Sequence, residues 1–284
     1  MPLISVVIPT YNRSSTIVAS IESVRDQSFK DIEIIVVDDG STDNTESVIS
    51  GLDIPELRYI RYSESRGANA ARNIGIQAAL GEYIAFQDSD DIWHSEKLEK
   101  QLHACRHFDA KVSFCAFHRI KYGNKSVVPK PGYNIQAGYH NMHAALLRGS
   151  FISCVTLLIN KAALLQAGSF DEELPRLQDW ELCLRLSKLY VFAFVDEPLV
   201  EVVFSPDSIT AGRTTYAEAA EMILTKHELD FLSDRVAYAM LCMNVAADAL
   251  LKHNYSDFVR FSWRALYYGN LNIPRSILIL FKRR

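Results

Sequence analysis

Apolar residues come in short runs of strand length, separated by segments whose apolar positions recur at helical spacing. Leu3 to Ile8 is an apolar, β-branched run and predicts a first, buried strand. Ile17, Ile21 and Val24 follow at i, i+4 and i+7, one face of a helix. Ile32 to Val37 predicts a second strand, Thr42 to Ser50 a polar helical turn, and Leu57 to Tyr62 a third strand. Ala68 to Ala79 is Ala-rich, hence helical, and Gly81 stops it. Tyr83 to Phe86 predicts a fourth strand, His94 to Phe108 a helix with Leu98, Leu102 and Cys105 on one stripe, and Val112 to Phe117 a fifth strand.

Strands alternating with helices imply βαβ units and a mostly parallel α/β sheet. Ligands of such sheets bind beyond the carboxyl ends of the strands. Polar clusters fall at that edge: Thr10-Tyr11-Asn12 after the first strand, Asp38-Asp39-Gly40-Ser41 after the second, and Asp88-Ser89-Asp90-Asp91 after the fourth. No G-x-G-x-x-G follows the first strand, and no G-x-x-x-x-G-K-[ST] occurs. A bound nucleotide would thus need another means of neutralising its phosphates. The Asp88/Asp90/Asp91 run with a divalent cation is the candidate, because Mg²⁺ or Mn²⁺ takes one or two carboxylates and completes its shell with diphosphate oxygens and water.

Composition narrows this further. With 284 residues, 49% hydrophobic and 23% charged, the chain reads as globular and long enough for a substantial core. A net charge of -4 gives no sign of nucleic-acid binding. The five cysteines, Cys105, Cys115, Cys154, Cys183 and Cys242, form no C-x-x-C pair and suggest buried thiols in a reducing compartment. The amino terminus lacks a basic region before its apolar run, and no stretch of about 18 apolar residues predicts a membrane-crossing helix.

Motifs in order along the chain are Ile8-Pro9-Thr10-Tyr11-Asn12-Arg13, Val36 to Asp43, Gly67-Ala68-Asn69-Ala70-Ala71-Arg72-Asn73, Phe86 to Asp91, Gly168 to Glu172, and Gln178-Asp179-Trp180-Glu181. Together they resemble family 2 glycosyltransferases of the GT-A fold, over residues 3 to 210. The resemblance implies a catalytic domain at 1–215, with a nucleotide-sugar half at 1–118 and an acceptor and catalytic-base half at 119–215. A helical extension at 216–284 would follow. Its implied activity is inverting, metal-dependent hexosyl transfer from a nucleoside-diphosphate-sugar, UDP-linked, to a glycan such as a cell-surface polysaccharide.

The resemblance also implies residue roles. Asp39 would accept the base N3–H, with Pro9, Thr10 and Tyr11 shaping the base pocket; otherwise Asp39 caps a turn before Gly40. Arg72 would hold the nucleotide or its phosphates, unless it is an exposed helix cation. Asp88, with Ser89 beside it, would bind the ribose hydroxyls; Asp90 would be the main ligand of Mn²⁺ or Mg²⁺, Asp88 would join it, and Asp91 would support the metal shell or cap the next helix. Asp179 would be the base that deprotonates the acceptor hydroxyl, or only the N-cap of a helix from Trp180 to Lys188. Trp180 would stack on an acceptor sugar or pack in the core.

One departure stands out. The family often carries an Arg and a His on a loop that closes over the diphosphate. The matching positions here are Val203 and Ser205. Arg213 or His140 are the candidate substitutes. The segment from Tyr122 to Gly138, with Pro129, Pro131, Gly132 and Gly138, reads as a loop.

Beyond residue 215 three helices are expected, Ala217 to Phe231, Val236 to Lys252 and Ser256 to Tyr267. From Val259 to Arg284 there are basic residues and no acidic one, interleaved with aromatics. Such a tail suits either an anionic membrane surface at the cytoplasmic face, where a lipid-linked glycan would be presented, or packing on protein, including a second copy of the chain. Two rival functions remain in view. One is a catalytically degenerate nucleotide-sugar-binding subunit. The other is a haloacid-dehalogenase-type phosphatase built on Asp88-x-Asp90, although that motif belongs on a first strand rather than a fourth.

Overall fold

The computed structural model describes residues 1–129, 138–203 and 215–269. It divides into two compact units, one of Met1–Met142, Phe151–Glu172 and Gln178–Pro206, the other of His143–Ser150, Glu173–Leu177 and Asp207–Arg284.

The first unit is built on a mixed sheet. β1 (Ile4–Thr10) and β2 (Ile32–Asp38) are buried along their whole length, as apolar runs covered on both faces must be. β1 lies between β2 and β4 (Tyr83–Phe86), parallel to both, and β3 (Leu57–Arg61) continues the parallel set beyond β2. The register pairs Thr10 with Asp38 and Val7 with Phe86, so the carboxyl ends of these strands share one edge. The crossovers carry α1 (Ile17–Arg25), α2 (Thr45–Ser50) and α3 (Ala68–Ala78). α1 buries Ile17, Ile21 and Val24, the stripe the sequence predicts.

Past β4 the pattern changes. β5 (Ile92–Trp93) pairs antiparallel with β10 (Phe192–Val203), and the His94 amide extends that pairing by bonding the Leu199 carbonyl at 2.9 Å. This delays α4 to Lys97–His107, three residues later than its periodicity suggests. β6 (Val112–Lys121) outruns its predicted end and turns at Tyr122-Gly123 into β7 (Asn124–Val128). The expected loop from Tyr122 is therefore a hairpin at its start. Both turn residues have positive φ, 50° and 77°, the geometry that suits a two-residue hairpin. Residues 130–137 lie outside the described set. β8 (Gly138–His140) pairs with β10, α5 (His143–Leu147) belongs to the second unit, and β9 (Leu157–Asn160) runs antiparallel between β4 and β6. The sheet order is β3-β2-β1-β4-β9-β6-β10-β5. α6 (Lys161–Gln166) and α7 (Gln178–Leu189) complete the unit.

Close approach of helix to sheet depends on small residues. A Cβ on Gly75 of α3 would stand 2.3 Å from a Val7 methyl, and one on Gly81 would stand 2.7 Å from the Ser5 amide nitrogen. Backbone cannot rotate away as a side chain can. Gly81→Ala is expected to lower unfolding stability by about 1–3 kcal/mol, the usual range for overpacking. Urea unfolding should show a lower midpoint with an unchanged slope.

The second unit contains α8 (Thr215–Lys226), α9 (Glu228–Ser233), α10 (Arg235–Leu251) and α11 (Tyr255–Gly269). The single helix expected from Ala217 to Phe231 is broken at His227, whose ψ of 29° leaves the helical range. Asp234 caps α10 by accepting the Ala237 amide. All five cysteines are free and buried. No helix among the described residues is long and apolar enough to cross a membrane.

Candidate active site

The polar tips of β1 and β2 are bound to one another. Asn12, held at φ 52°, accepts the Thr42 and Asp43 amides through Oδ1, and its own amide donates to Ser41 Oγ. Asn and Asp tolerate this left-handed geometry better than other L-residues. Arg13 donates its amide to Thr45 Oγ1. Asp38 is a structural anchor, taking the Ser41 amide and the Tyr59 hydroxyl.

Asp39 is buried and already holds three donors. Ser65 Oγ lies at 2.6 Å, the Arg66 amide at 2.7 Å and the Gly67 amide at 2.8 Å. The carboxylate thus pins the loop that leads into α3. Gly40 and Gly67 have positive φ, and a Cβ on Gly40 would press within 3.2 Å of the Glu64 and Ser65 backbone. Pro9 lies in the buried strand, Thr10 is buried with no hydrogen bond to its Oγ1, and Tyr11 is 46% exposed at the rim.

Arg72 is not the exposed helix cation of the alternative reading. It is buried, its Nη2 lies 2.7 Å from Asp88 Oδ1, and its guanidinium sits 5.6 Å over the Phe170 ring. Its Nε and Nη1 make no hydrogen bond among the described residues. Burial would lower its affinity for a proton, but the Asp88 charge outweighs burial and holds the guanidinium charged.

The acidic run after β4 is divided among different partners. Asp88 faces Arg72, whereas Asp90 lies 3.8 Å from the Arg13 guanidinium. Asp91 is buried and accepts the Val203 amide, which ties the end of β10 to the rim. Ser89 is buried between them. Burial first, and then the Asp88 charge, pushes both Asp90 and Asp91 above the usual carboxylate range. Among the described residues no three metal-binding side chains converge. The donor set nevertheless suits a hard cation: clustered, mutually repelling carboxylates with raised pKa values are relieved by one.

Asp179 stands in the first turn of α7 and accepts the amide of its neighbour Trp180 at 2.8 Å. Burial raises its pKa. Arg72 and Asp88 are near enough for their charges to act on it as well, which places Asp179, Arg72 and the acidic tip in one neighbourhood. Trp180, by contrast, is 3% exposed and packs in the core, so it offers no face on which a sugar could stack.

Supporting residues that the sequence reading did not single out explain two of the motifs. Asn69 and Asn73 of α3 donate to the Asp171 and Phe170 carbonyls, and Asn73 accepts the Phe170 amide. Glu181 forks onto Arg185, which donates to the Ser169 and Ala167 carbonyls. The Gly168-Ser169-Phe170 turn is thereby clamped from both sides and sets Phe170 under Arg72. Arg13 is the other omission; its signal was its place directly after the first rim cluster. Of the candidate substitutes for the missing loop cation, His140 lies on β8, while Arg213, like residues 204–210, is outside the described set.

A mixed α/β sheet with acidic strand tips on its carboxyl edge, beside a buried arginine, has the architecture of a GT-A glycosyltransferase. The family model "Glycosyl transferase family 2" matches residues 5–166, more than half of the chain. The chain belongs to this family. Among curated relatives, it is 28% identical over 263 residues to the Escherichia coli UDP-Glc:alpha-D-GlcNAc-diphosphoundecaprenol beta-1,3-glucosyltransferase WfaP, covering 90% of this chain and 97% of WfaP. Among solved structures, S. aureus TarS 1-349 in complex with UDP-GlcNAc superposes with a TM-score of 0.68 at 19% identity, over 95% of this chain and 74% of that one. The Pyrobaculum calidifontis mannosyltransferase PcManGT, in complex with GDP-Man and Mn2+, gives a TM-score of 0.64 at 16% identity, over 100% of this chain and 88% of that one.

Proposed function

We propose that the chain is an inverting glycosyltransferase that moves a hexosyl group from a UDP-sugar to a glycan or lipid-linked glycan acceptor, working with Mn²⁺ or Mg²⁺ at the cytoplasmic face of a membrane. The observation that carries this reading is Arg72. A buried guanidinium whose Nε and Nη1 have no partner among the described residues, beside an acidic strand tip and a raised-pKa carboxylate, is arranged to receive an anionic ligand. A diphosphate has the charge and the acceptor oxygens to satisfy it. WfaP, matched almost end to end, is named for a UDP-sugar donor and a diphosphoundecaprenol-linked acceptor, which supports both choices.

In this reading Asp39 and Tyr11 receive the base, and Arg72 holds the diphosphate. Asp179 takes the proton from the acceptor hydroxyl as that oxygen attacks the anomeric carbon from the face opposite the diphosphate, so the configuration inverts. Its raised pKa makes it a stronger base than an ordinary carboxylate. Asp88 and Asp90 would hold the divalent ion, which would stabilise charge on the departing diphosphate. Asp91, committed to the Val203 amide, supports that arrangement from behind.

Calorimetry with UDP tests the central claim. Arg72→Met is expected to weaken UDP binding by about tenfold or more, since each hydrogen bond to a charged group contributes about 1.5–3 kcal/mol. Unchanged affinity would remove Arg72 from the diphosphate site. The degenerate-subunit alternative draws on Val203 and Ser205 standing where an Arg and a His are usual. It predicts UDP-sugar binding without donor hydrolysis in Mn²⁺, whereas the enzyme reading predicts slow release of free sugar.

A further inference from the structure

α11 carries its apolar residues on both sides. Phe261, Ala265 and Gly269 are buried toward the rest of the helical unit. On the opposite side Tyr255, Val259, Trp263 and Tyr267 recur every fourth residue and are 62%, 62%, 60% and 65% exposed. Trp263 and Tyr267 lie stacked, ring centroids 4.9 Å apart and 9° from parallel. An outer helix face normally presents charge to water. Here the nearby cations are drawn aside: Arg260 pairs with Glu221 and Asp257, and Arg264 with Glu221. What remains toward solvent is a ridge of rings and one branched aliphatic side chain.

Chemistry and charge select the occupant. Tyr and Trp join an apolar body to a polar tip, the combination that settles at the boundary between acyl chains and headgroups. The sequence from Val259 to its end at Arg284 adds Arg275, Lys282, Arg283 and Arg284 and no acidic residue, so the region complements a negative surface.

We propose that the Tyr255–Val259–Trp263–Tyr267 ridge of α11 docks the enzyme on an anionic lipid surface, with its rings at headgroup level. The purpose of this docking rests on the proposed lipid-linked acceptor; its existence does not.

The full-length chain is tested by flotation with vesicles of phosphatidylcholine alone or mixed with phosphatidylglycerol, beside a W263S/Y267S variant. Both side chains are exposed, so the fold is retained, as circular dichroism and UDP affinity will verify. The expected result is flotation of the wild type with anionic vesicles and a drop in partitioning of about tenfold or more in the variant. A second reading comes from fluorescence. Of the three tryptophans, Trp93 and Trp180 are buried at 4% and 3%, so quenching by brominated lipid reports Trp263. No flotation, no quenching, or equal flotation of the variant overturns the proposal. So does a concentration-dependent dimer that W263S/Y267S dissolves, which would assign the ridge to a second copy. Donor hydrolysis measured on the same samples separates the two claims. Hydrolysis without vesicle binding sinks only the docking surface, and vesicle binding without hydrolysis sinks only the proposed function.

Discussion

Asp179→Asn is expected to reduce sugar transfer by about two orders of magnitude or more, the scale of a lost general base. UDP affinity should stay close to the wild-type value, because in the proposed mechanism Asp179 acts on the acceptor hydroxyl and Arg72 on the diphosphate. The substitution is nearly isosteric, and Asn can still accept the Trp180 amide, so the helix turn is kept. The pH dependence adds an independent check. Burial lifts the Asp179 pKa, so the base form is gained, and kcat rises, as pH climbs through a value above the ordinary carboxylate range. That limb should vanish in the variant. Stability runs the other way. A carboxylate whose folded pKa is raised contributes stability below its unfolded pKa and loses it as pH rises through the folded value. The Asn variant should therefore be at least as stable as wild type at neutral pH, by thermal unfolding. A variant that loses UDP binding as much as turnover would show that Asp179 is a donor-site residue.

Asp90→Ala is expected to abolish the coupling between Mn²⁺ and UDP. Three carboxylates in four residues are held apart by Arg72, Arg13 and the Val203 amide, and no ready-made cluster exists among the described residues. A cation and a diphosphate would each bind weakly alone and reinforce one another together. Coupling of this kind is reciprocal and amounts to about 5–150-fold in affinity. Calorimetric titration of UDP with and without Mn²⁺ measures it in wild type, and in the variant the two affinities should coincide. Asp91→Asn serves as a contrast, since Asp91 is bonded to β10 and its replacement should act on stability. Coupling preserved in Asp90→Ala would place the metal elsewhere.

The parallel half of the sheet was readable because its strands are continuous apolar runs and its helices have a clean period; Ile17, Ile21 and Val24 are buried as their spacing requires. The rim was readable because polar clusters follow those runs directly. What escaped depended on partners distant in sequence. β5 has only two residues and exists because β10 lies beside it. Nothing near Arg13 indicates that it will meet Asp90, which lies far along the chain. The break at His227 has no proline or glycine to announce it. Trp180 beside a proposed base suggested a sugar platform, yet the helical period turns it inward.

The occupancy of Asp39 has a consequence for base choice. An ionised carboxylate offers about four lone-pair positions. The loop from Ser65 to Gly67 fills three of them. One position is left, enough for the lone ring N–H of a pyrimidine such as uracil. Guanine presents a pair of adjacent donors and would have to evict part of the loop to be accommodated. In the proposed donor site, discrimination between nucleobases would then be a matter of remaining acceptor valence, set by the fold before any donor arrives.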